Sequence, residues 1–244
     1  MAECRQNLPG IFSVTLITMV EVKVIPTCVG FIMDGNRRWA KAQGLPALEG
    51  HRKGAEVFGD TIKWLQESGV AHGVYYAFST ENWQRDKAEV GYLMDLFREV
   101  LRTTAKEHGV RLRVVGRVND FADDIQKQIS EIESETAVQE YTTTIWVALS
   151  YGGRAEIVAA VNEAIARGEK VTEESFEKIL WTAKMPDPDI IVRTGGEQRL
   201  SNFMTWKSVY SEFLFLEKPW PALTKADFIG ILDAYGNRER RKGK

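Results

Sequence analysis

Short β-branched and aromatic runs alternate along this chain with longer stretches whose apolar residues recur at helical spacing. This alternation is typical of βα units, because parallel strands need crossover connections long enough to hold a helix. The predicted strands are 28–33, 73–79, 110–116, 143–150, 189–193 and 212–216. The predicted helices are 52–68, 85–107, 120–135, 153–167, 173–182 and 224–239. We therefore expect a single α/β domain whose central, mostly parallel six-stranded sheet is surrounded by helices.

The length and composition favour a single folded catalytic domain. A chain of 244 residues with 44% hydrophobic content can bury a sizeable core. We interpret residues 1–25 as an N-terminal extension and residues 26–244 as the domain. The apolar part of the extension follows only Arg5, lacks a small-residue cleavage site and is too short to span a bilayer. Met19 is an alternative start.

Charge and cysteine content restrict the possible partners and compartment. The net charge of -2 argues against a nucleic-acid partner, so anion binding must come from local clusters of Lys and Arg. Cys4 and Cys28 lack the spacing of metal ligands, and a bridge between them would join an extension to a core strand. This usage favours a reducing cytoplasm without disulfide or zinc.

The loop after the first predicted strand combines an acid with several cations. Asp34, Gly35 and Asn36 end the strand, and Arg37 and Arg38 follow directly. Gly35 permits close backbone approach, and the residues on either side of it are good helix N-caps. Magnesium bridges a carboxylate to phosphate oxygens while arginines pair with those oxygens, so the loop suits a magnesium diphosphate. A capped turn with a surface salt bridge is the alternative.

Two further strand ends and one predicted helix start carry similar chemistry. The donors and cations are Ser79, Asn82 and Arg85 after the second strand, and Arg193, Arg199 and Ser201 after the fifth. Gly195 and Gly196 separate the two arginines and suit an anion that is also approached by backbone. His51 lies at the predicted start of a helix, where the dipole favours an anion. Ligands of parallel sheets bind at these carboxyl ends, which favours one shared site.

The same segments resemble the cis-prenyltransferases, the family of undecaprenyl diphosphate synthase. The resemblance rests on "MDGNRRWA", "GHRKGAE", "YAFSTENWQR", "SYGGRAEIV" and "DIIVRTGGEQRLSNFMTWKSVYSEFLF", in this order. It extends from about Pro26 to the terminal "NRERRKG" and so covers nearly the whole domain. The implied activity is the condensation of isopentenyl diphosphate with an allylic diphosphate primer, in the presence of Mg²⁺, to form cis double bonds.

The resemblance also implies roles for individual residues. Asp34 would lie at the magnesium diphosphate centre, with Gly35 and Asn36 beside it and Glu212 assisting the metal, from a partner subunit in one arrangement. The allylic diphosphate would be held by Arg38, His51 and, as helpers, Arg37 and Trp39. Isopentenyl diphosphate would be held by Arg193, Arg199 and Ser201. The reacting ends would be positioned by Ser79, Asn82 and Arg85, and the primer would pack against Trp83.

The chemistry implies an apolar tunnel for the growing isoprenoid chain. The inward faces of 73–79, 143–150 and helix 85–107 could line it, although an apolar strand face is ordinary core in most proteins. A long polyprenyl product is insoluble in water, so we expect a cytoplasmic protein with peripheral membrane contact for product release. The resemblance also implies a homodimer, with the apolar region 213–220 near the interface.

Three positions depart from the family pattern. Cys28 stands where a histidine is common, and Ala47 stands where an arginine usually holds the primer diphosphate. Arg37, which replaces a frequent glycine, or Arg52 could compensate for Ala47. Trp146 is large for a strand beside a tunnel and would shorten the product if it faced inward. The sequence determines neither product length, preferred primer nor proton acceptor.

Other interpretations stay open at this point. A short-chain or irregular synthase would share the site, and a non-catalytic partner subunit would typically lose the acid at position 34. An all-helical trans-prenyltransferase would need DDxxD clusters, whereas Asp123 and Asp124 have no third acid. Glu89 and Glu197 are predicted either to pair with arginines or to contact metal. Surface positions are predicted for His72 and His108, and a solvated tail or a contact with a neighbouring subunit's site for Arg238, Arg240 and Arg241.

Overall fold

The computed structural model describes residues 24–138 and 140–238. The strands are β1 (Cys28–Ile32), β2 (His72–Ser79), β3 (Arg111–Val115), β4 (Thr144–Tyr151), β5 (Ile190–Arg193) and β6 (Glu212–Phe215). The α-helices are α1 (Asn36–Ala42), α2 (Ala47–Glu67), α3 (Lys87–His108), α4 (Asp123–Glu135), α5 (Gly153–Arg167), α6 (Glu173–Glu177) and α7 (Lys225–Gly236). Short 3₁₀ turns cover Thr80–Gln84, Val118–Asp120 and Trp220–Ala222. The predicted single α/β domain with six strands is confirmed.

The strands form one sheet in the order β3-β4-β2-β1-β5-β6, and each neighbouring pair is parallel. β1 lies in the middle, with Phe31 aligned to Tyr75 on one side and to Val192 on the other. The first crossover leads from β1 to β2, whereas β5 lies on the opposite side of β1. This reversal creates a crevice at the carboxyl ends of β1 and β5, where open α/β sheets bind ligands.

Strand side chains alternate between two apolar clusters, as the two-residue period of a strand requires. Val29 and Phe31 of β1 belong to the larger cluster, which also takes residues of α2, α3, α4 and α7. Cys28 and Ile32 belong to the cluster on the other face. Burial raises the pKa of the Cys28 thiol, so this cysteine behaves as an inert core residue.

The helix boundaries differ most from the prediction near the start of the domain. The pattern predicted neither the short α1 nor the first turn of α2, which begins at Ala47 after Pro46. Gly50 and Gly54 interrupt the apolar pattern of α2. Glycine is needed at both positions because α1 packs directly on them. A Cβ atom would lie 2.1 Å from the Asn36 carbonyl oxygen at Gly50 and 2.4 Å from Asn36 Oδ1 at Gly54. α6 is also shorter than predicted, since turns follow Glu177.

Two sets of sequence predictions fall outside the described residues. They are the expected N-terminal extension, of which only residues 24 and 25 are described, and the roles of Arg240 and Arg241. Within 24–138 and 140–238, no helix combines the length and apolar composition needed to cross a bilayer.

Candidate active site

A cavity of about 850 Å³ opens at the carboxyl edge of the sheet. Its mouth is polar because it is lined by residues at or just beyond the ends of β1, β2 and β5, among them Asp34, Asn82 and Arg193. Its inner wall is apolar and is formed mainly by α3 together with Leu112 and Val147 of the sheet. The cavity therefore joins an ionic entrance to a hydrophobic interior.

Asp34 and Arg193 meet at the crevice between β1 and β5. Arg193 Nη2 donates to Asp34 Oδ2 at 2.9 Å, and Nη1 donates to Ser201 Oγ at 2.7 Å and to the Arg199 carbonyl. Only 5% of the Arg193 side chain is exposed, against 31% for Asp34. These contacts fix the guanidinium from several sides. We call Asp34, Arg193 and Ser201 the Arg193 side of the site.

The Asp34 carboxylate is surrounded by cations and is ionised at neutral pH. Burial by itself raises its pKa, but the hydrogen bond and charge of Arg193 and the charge of Arg38 outweigh burial and hold the pKa below its usual range. Arg38 Nη2 lies 3.3 Å from Asp34 Oδ1, which also accepts from the Gly35 amide at 2.6 Å. The loop thus presents a fixed hard anion at the cavity mouth.

Glycines let the loops on either side of Asp34 approach closely. Gly35 has φ 101°, and a Cβ atom there would lie 2.6 Å from Pro219 Cβ. Gly35, rather than Asp34 or Asn36 as predicted, is the N-cap of α1, since the Asp34 side chain turns to the Gly35 amide and Asn36 Nδ2 donates to the Met33 carbonyl. The predicted use of the Gly195 and Gly196 amides for an anion is also corrected. Those amides donate to the carbonyls of Lys218 and Leu216.

A second group of cations converges on Glu89 at the start of α3. Arg85 Nη1 and His51 Nε2 each lie 3.0 Å from Glu89 Oε1, and Arg37 Nη1 lies 3.4 Å from Oε2. Glu89 is 12% exposed, whereas Arg37 is 57% exposed. We call Arg37, His51, Arg85 and Glu89 the Glu89 side of the site.

His51 sits in the second turn of α2 rather than at a helix start, so the predicted dipole effect does not apply to it. Burial lowers the pKa of His51, and the charges of Arg85 and Arg37 lower it further against the opposing effect of Glu89. The imidazole is therefore neutral at pH 7. Because the Glu89 carboxylate is an acceptor, Nε2 carries the proton in this contact.

The 3₁₀ turn after β2 is pinned from below by a chain of hydrogen bonds. Trp83 Nε1 donates to Ser150 Oγ at 2.9 Å, and Ser150 Oγ donates to Asp120 Oδ2 at 2.5 Å. On the upper side, the Ser79 amide donates to Asn82 Oδ1 at 3.0 Å. This bond holds the side chain of Asn82, which lines the cavity.

Several residues of the predicted lining surround the cavity, whereas Trp146 lies elsewhere. Leu93, Phe97 and Leu101 of α3 line the cavity, as do Ala77 and Val147. Trp146 instead packs in the cluster on the other face of the sheet, where its Nε1 donates to His72 Nδ1 at 3.2 Å. It therefore does not shorten the cavity. His72 is a strand residue rather than the predicted surface loop residue.

The structure brings together most of the residues singled out from the sequence. Those that line the cavity are Asp34, Gly35, Asn36, Arg37, His51, Ser79, Asn82, Arg85, Arg193 and Ser201. Arg38, Trp39, Trp83, Arg199 and Glu212 are not among its lining residues. Arg38 and Arg199 stay close to the mouth, since both form ion pairs with Glu197. Trp83 faces Phe78 and Phe121 at ring distances of 4.8 and 5.2 Å rather than the cavity.

Glu212 lies at the wrong end of the sheet to meet Asp34 within one chain. It begins β6 and aligns with Ile190, whereas Asp34 follows the other end of β1. Three residues of strand, or about 10 Å, separate Glu212 from the register of that end. Within the chain, Arg238 Nη1 donates to Glu212 Oε2. A role of Glu212 at the metal would need a second subunit.

Several lining residues had no predicted role, notably Tyr76, Glu81, Arg154 and Asn202. Arg154 belongs to "SYGGRAEIV", which begins with the last two residues of β4 and so leads away from the same edge of the sheet. That position was the signal that could have identified it. Asn202 has φ 69° and directly follows Ser201 in the loop after β5.

The described residues contain no group of three or more His, Cys, Asp or Glu that could hold a metal by themselves. Asp34 is a half-exposed, ionised carboxylate beside arginines. This donor set fits Mg²⁺, which is commonly held by one or two carboxylates together with substrate phosphates. The site therefore suits a metal that arrives with a diphosphate.

Comparisons with known proteins agree with this geometry. Residues 32–243 match the model of the family described as "Putative undecaprenyl diphosphate synthase". An isoprenyl transferase of Thermotoga maritima is 44% identical over 227 residues, covering 90% of this chain and 97% of that protein. A (2E,6E)-farnesyl-diphosphate-specific ditrans,polycis-undecaprenyl-diphosphate synthase of Micrococcus luteus is 39% identical over 229 residues, with 90% and 92% covered.

A solved structure with a similar fold is lavandulyl diphosphate synthase from Lavandula x intermedia in complex with dimethylallyl diphosphate. Its TM-score is 0.86 at 32% sequence identity, and the match covers 90% of this chain and 99% of that chain.

Proposed function

This chain belongs to the undecaprenyl diphosphate synthase family and is a cis-prenyltransferase, and we propose that it joins isopentenyl diphosphate to an allylic diphosphate primer such as farnesyl diphosphate. The observation that carries this proposal is the Asp34 carboxylate held between Arg193 and Arg38 at the polar mouth of an otherwise apolar cavity. Anion chemistry and a long hydrocarbon thus have adjoining places in one site. The product is a cis-polyprenyl diphosphate.

The two diphosphates bind on the two sides defined above. The Glu89 side holds the allylic diphosphate, and its residues Arg37 and His51 line the cavity. Arg38 and Trp39 follow Arg37 on α1 and assist it. The Arg193 side holds isopentenyl diphosphate through Arg193, Ser201 and the exposed Arg199. Asp34 belongs to the Arg193 side but lies in the loop that leads into α1, the helix of Arg37 and Arg38, so it stands beside both diphosphates. This arrangement brings the two reacting carbons together at the cavity mouth.

Magnesium would be held by Asp34 and by phosphate oxygens, with Glu212 of the partner subunit as a further ligand in a homodimer. A metal held there would supply positive charge to the leaving diphosphate. Arg38 and the cations of the Glu89 side stabilise the negative charge of the same diphosphate. Asn36 and Gly35 keep the loop in the shape that aims Asp34 at the mouth.

Asn82 and Ser79 position the isopentenyl group at the reacting end. The Asn82 carbonyl oxygen is already used by the Ser79 amide, so Asn82 contributes Nδ2 as a donor toward the cavity. Arg85, held by Glu89, adds a cation next to it. Trp83 supports this turn from below through Ser150.

The apolar wall takes up the hydrocarbon chain and keeps water away from the allylic cation. Leu93, Phe97 and Leu101 lie at helical spacing along one face of α3, so successive isoprene units meet successive apolar side chains. Burial of each added methylene is favourable by about 0.8 kcal/mol. The cavity thereby serves as the tunnel that the growing chain enters.

Arg37 replaces the missing arginine at position 47. Ala47 is exposed at the start of α2 and offers no charge. Arg37 lines the cavity, whereas Arg52 is paired with Glu49 and Glu56 on the outside of α2. Between the two compensating candidates, this placement supports Arg37.

The catalytic domain comprises residues 26–244 and works as a homodimer in the cytoplasm, with peripheral membrane contact for product release. Val209 and Tyr210, just before the edge strand β6, are 72% and 73% exposed. Large apolar side chains at an unpaired sheet edge support a subunit interface there. A long polyprenyl chain is insoluble in water, which supports release at a membrane.

A short-chain or irregular prenyl diphosphate synthase is the second candidate. The similarity to lavandulyl diphosphate synthase favours it, because that protein shares the fold and was solved with dimethylallyl diphosphate. The continuous apolar wall of α3 favours the long-chain product instead. Product sizing separates the two.

The test is incorporation of labelled isopentenyl diphosphate by the purified chain with Mg²⁺ and dimethylallyl, farnesyl or geranylgeranyl diphosphate. We expect a ladder of long products with farnesyl diphosphate, and a loss of at least about 1,000-fold in Asp34→Asn. The variant keeps the shape of the side chain, so a loss reports the charge. EDTA should abolish incorporation in the unaltered chain. Absence of incorporation with every primer, or an active Asp34→Asn, would contradict the proposal.

A further inference from the structure

Arg154 stands apart from the other arginines at the site because it has no acidic partner. It lines the cavity at the start of α5 and its side chain is exposed. Among the residues that the structure describes, no Asp or Glu forms an ion pair with it. By contrast, Arg37 and Arg85 pair with Glu89, and Arg193 pairs with Asp34. Arg154 thus contributes an uncompensated positive charge.

Close packing and two hydrogen bonds hold the backbone at Arg154 against the loop after β5. Gly152 and Gly153 let the start of α5 press against the loop after β5, since a Cβ atom at Gly153 would lie 2.2 Å from Thr205 Oγ1. The Gly153 amide donates to the Asn202 carbonyl at 2.7 Å, and the Arg154 amide donates to Asn202 Oδ1 at 2.9 Å. Arg154 is the first residue of α5 with a long side chain.

This docking assigns Arg154 to the Arg193 side rather than to the Glu89 side. Asn202 follows Ser201 directly, and Ser201 Oγ accepts from Arg193. The anchor of Arg154 is therefore the residue next to the hydroxyl that Arg193 holds. Asn202 Nδ2 also donates to Glu81 at 2.9 Å, which ties the loop after β2 to the same point.

The other two arginines proposed for isopentenyl diphosphate already have acidic partners. Arg193 is neutralised by Asp34, and Arg199 is paired with Glu197. A diphosphate carries several negative charges at neutral pH, and an anion bound only by already paired arginines would stay poorly compensated. Arg154 supplies a cation that needs no rearrangement to bind it.

We propose that Arg154 binds the diphosphate of isopentenyl diphosphate as a further substrate-binding residue, which rests on the proposed function above. Its guanidinium and those of Arg193 and Arg199 enclose that anion from different elements. The side chain is ordered by the substrate rather than by the protein.

Because Arg154 has no acidic partner among the described residues, its substitution should affect substrate binding without affecting stability. Truncating Arg154 removes no ion pair of the folded chain, and alanine is the best helix former, so Arg154→Ala should leave the melting temperature nearly unchanged. Arg167→Ala is the matched control. It removes the same charge from the same helix at its other end, about 20 Å away, where Arg167 pairs with Glu163.

The measurement is the KM of each substrate with labelled isopentenyl diphosphate, farnesyl diphosphate and Mg²⁺. In Arg154→Ala we expect the KM of isopentenyl diphosphate to rise about tenfold or more, with the KM of farnesyl diphosphate within about twofold. Arg154→Lys should recover part of the loss, because it restores charge without the planar fork. Arg167→Ala should leave both constants within about twofold.

Several results would overturn the proposal. An unchanged KM of isopentenyl diphosphate in Arg154→Ala, an equal rise in Arg167→Ala, or a rise confined to farnesyl diphosphate would each do so. Failure of the proposed function has a different signature, since the unaltered chain would then incorporate no isopentenyl diphosphate with any primer.

Discussion

The two sides of the site differ in how their cations are held. On the Arg193 side, the central guanidinium is 5% exposed and is fixed by a carboxylate, a hydroxyl and a carbonyl. On the Glu89 side, Arg85 and Arg37 are 28% and 57% exposed and share one carboxylate with His51. The first side is built into the fold of the sheet, whereas the second is gathered by a single residue of α3.

The difference suggests two ways to prepare a site for anions. A buried arginine whose two terminal nitrogens are both engaged has little freedom to adapt, so it defines where its diphosphate binds. Cations that share Glu89 are kept from repelling one another and can turn toward an incoming diphosphate. Substitutions on the Arg193 side should therefore damage both folding and catalysis, and substitutions on the Glu89 side mainly catalysis.

The largest effect is expected from Arg193→Lys. Lysine keeps the charge but cannot reach Asp34, Ser201 and the Arg199 carbonyl together, so kcat/KM should fall by about 100-fold or more. The free energy of unfolding should fall by about 1–3 kcal/mol because three partly buried hydrogen bonds of the guanidinium are lost. Enzyme kinetics and chemical denaturation measure the two effects.

Arg113→Lys is the control for this substitution. Arg113 also bonds several acceptors, including the Leu112 and Glu133 carbonyls, but it lies on β3 away from the cavity. It should lose stability while keeping its kinetics. If Arg193→Lys behaved like Arg113→Lys, the Arg193 side would be structural only.

A smaller effect, of about tenfold on kcat, is expected from Glu89→Gln. The neutral side chain no longer gathers the three cations, so the leaving diphosphate is held in less productive positions. The KM of the allylic substrate should stay within about twofold or fall, because the positive charge on this side increases. The pKa of His51 should fall as well, since Glu89 is the neighbour that raises it.

Glu56→Gln tests whether loss of any acid on these helices has the same result. Glu56 pairs with Arg52 and Lys53 outside the cavity, so both kinetic constants should be unchanged. A raised KM with unchanged kcat in Glu89→Gln would show that Glu89 serves binding alone and would break the contrast between the two sides.

The smallest effect, about threefold to tenfold on kcat, is expected from Ser150→Ala. The substitution removes the hydroxyl that links Trp83 to Asp120, and the turn with Asn82 and Arg85 loses its lower support. Thr143→Val removes another buried hydroxyl, at the opposite edge of the sheet, where it donates to the Val70 carbonyl. Equal kinetics of the two variants would exclude a positioning role for Ser150.

The fold and the strand-end residues could be predicted because they depend on local periodicity and on one topological rule. Six apolar runs bounded by turns specify the strands, and parallel strands bring their carboxyl ends to one edge. Asp34, Asn82 and Arg193 lie at or just beyond the ends of different strands and do line one cavity. Helix α1 was missed because seven residues give too short a period to recognise.

The finer geometry depends on contacts between distant segments. Glu89 is 52 positions from Arg37, and no local pattern predicts that three cations converge on it. Trp83 faces the aromatic cluster and Trp146 the opposite side of the sheet, since side-chain direction follows from strand register and tertiary packing. The sequence does not show that the amides of Gly195 and Gly196 donate to the carbonyls of Lys218 and Leu216, because those partners are at least 20 positions away.

The division between the two sides is tested most directly by measuring both KM values in Arg37→Ala and Ser201→Ala, with farnesyl diphosphate as primer. We expect a crossed pattern, in which Arg37→Ala raises mainly the KM of the primer and Ser201→Ala mainly that of isopentenyl diphosphate, each by about fivefold or more. The contrary result would be that both variants raise the same KM, or that each raises the KM of the primer and the KM of isopentenyl diphosphate equally. The two sides would then form a single undivided anion site.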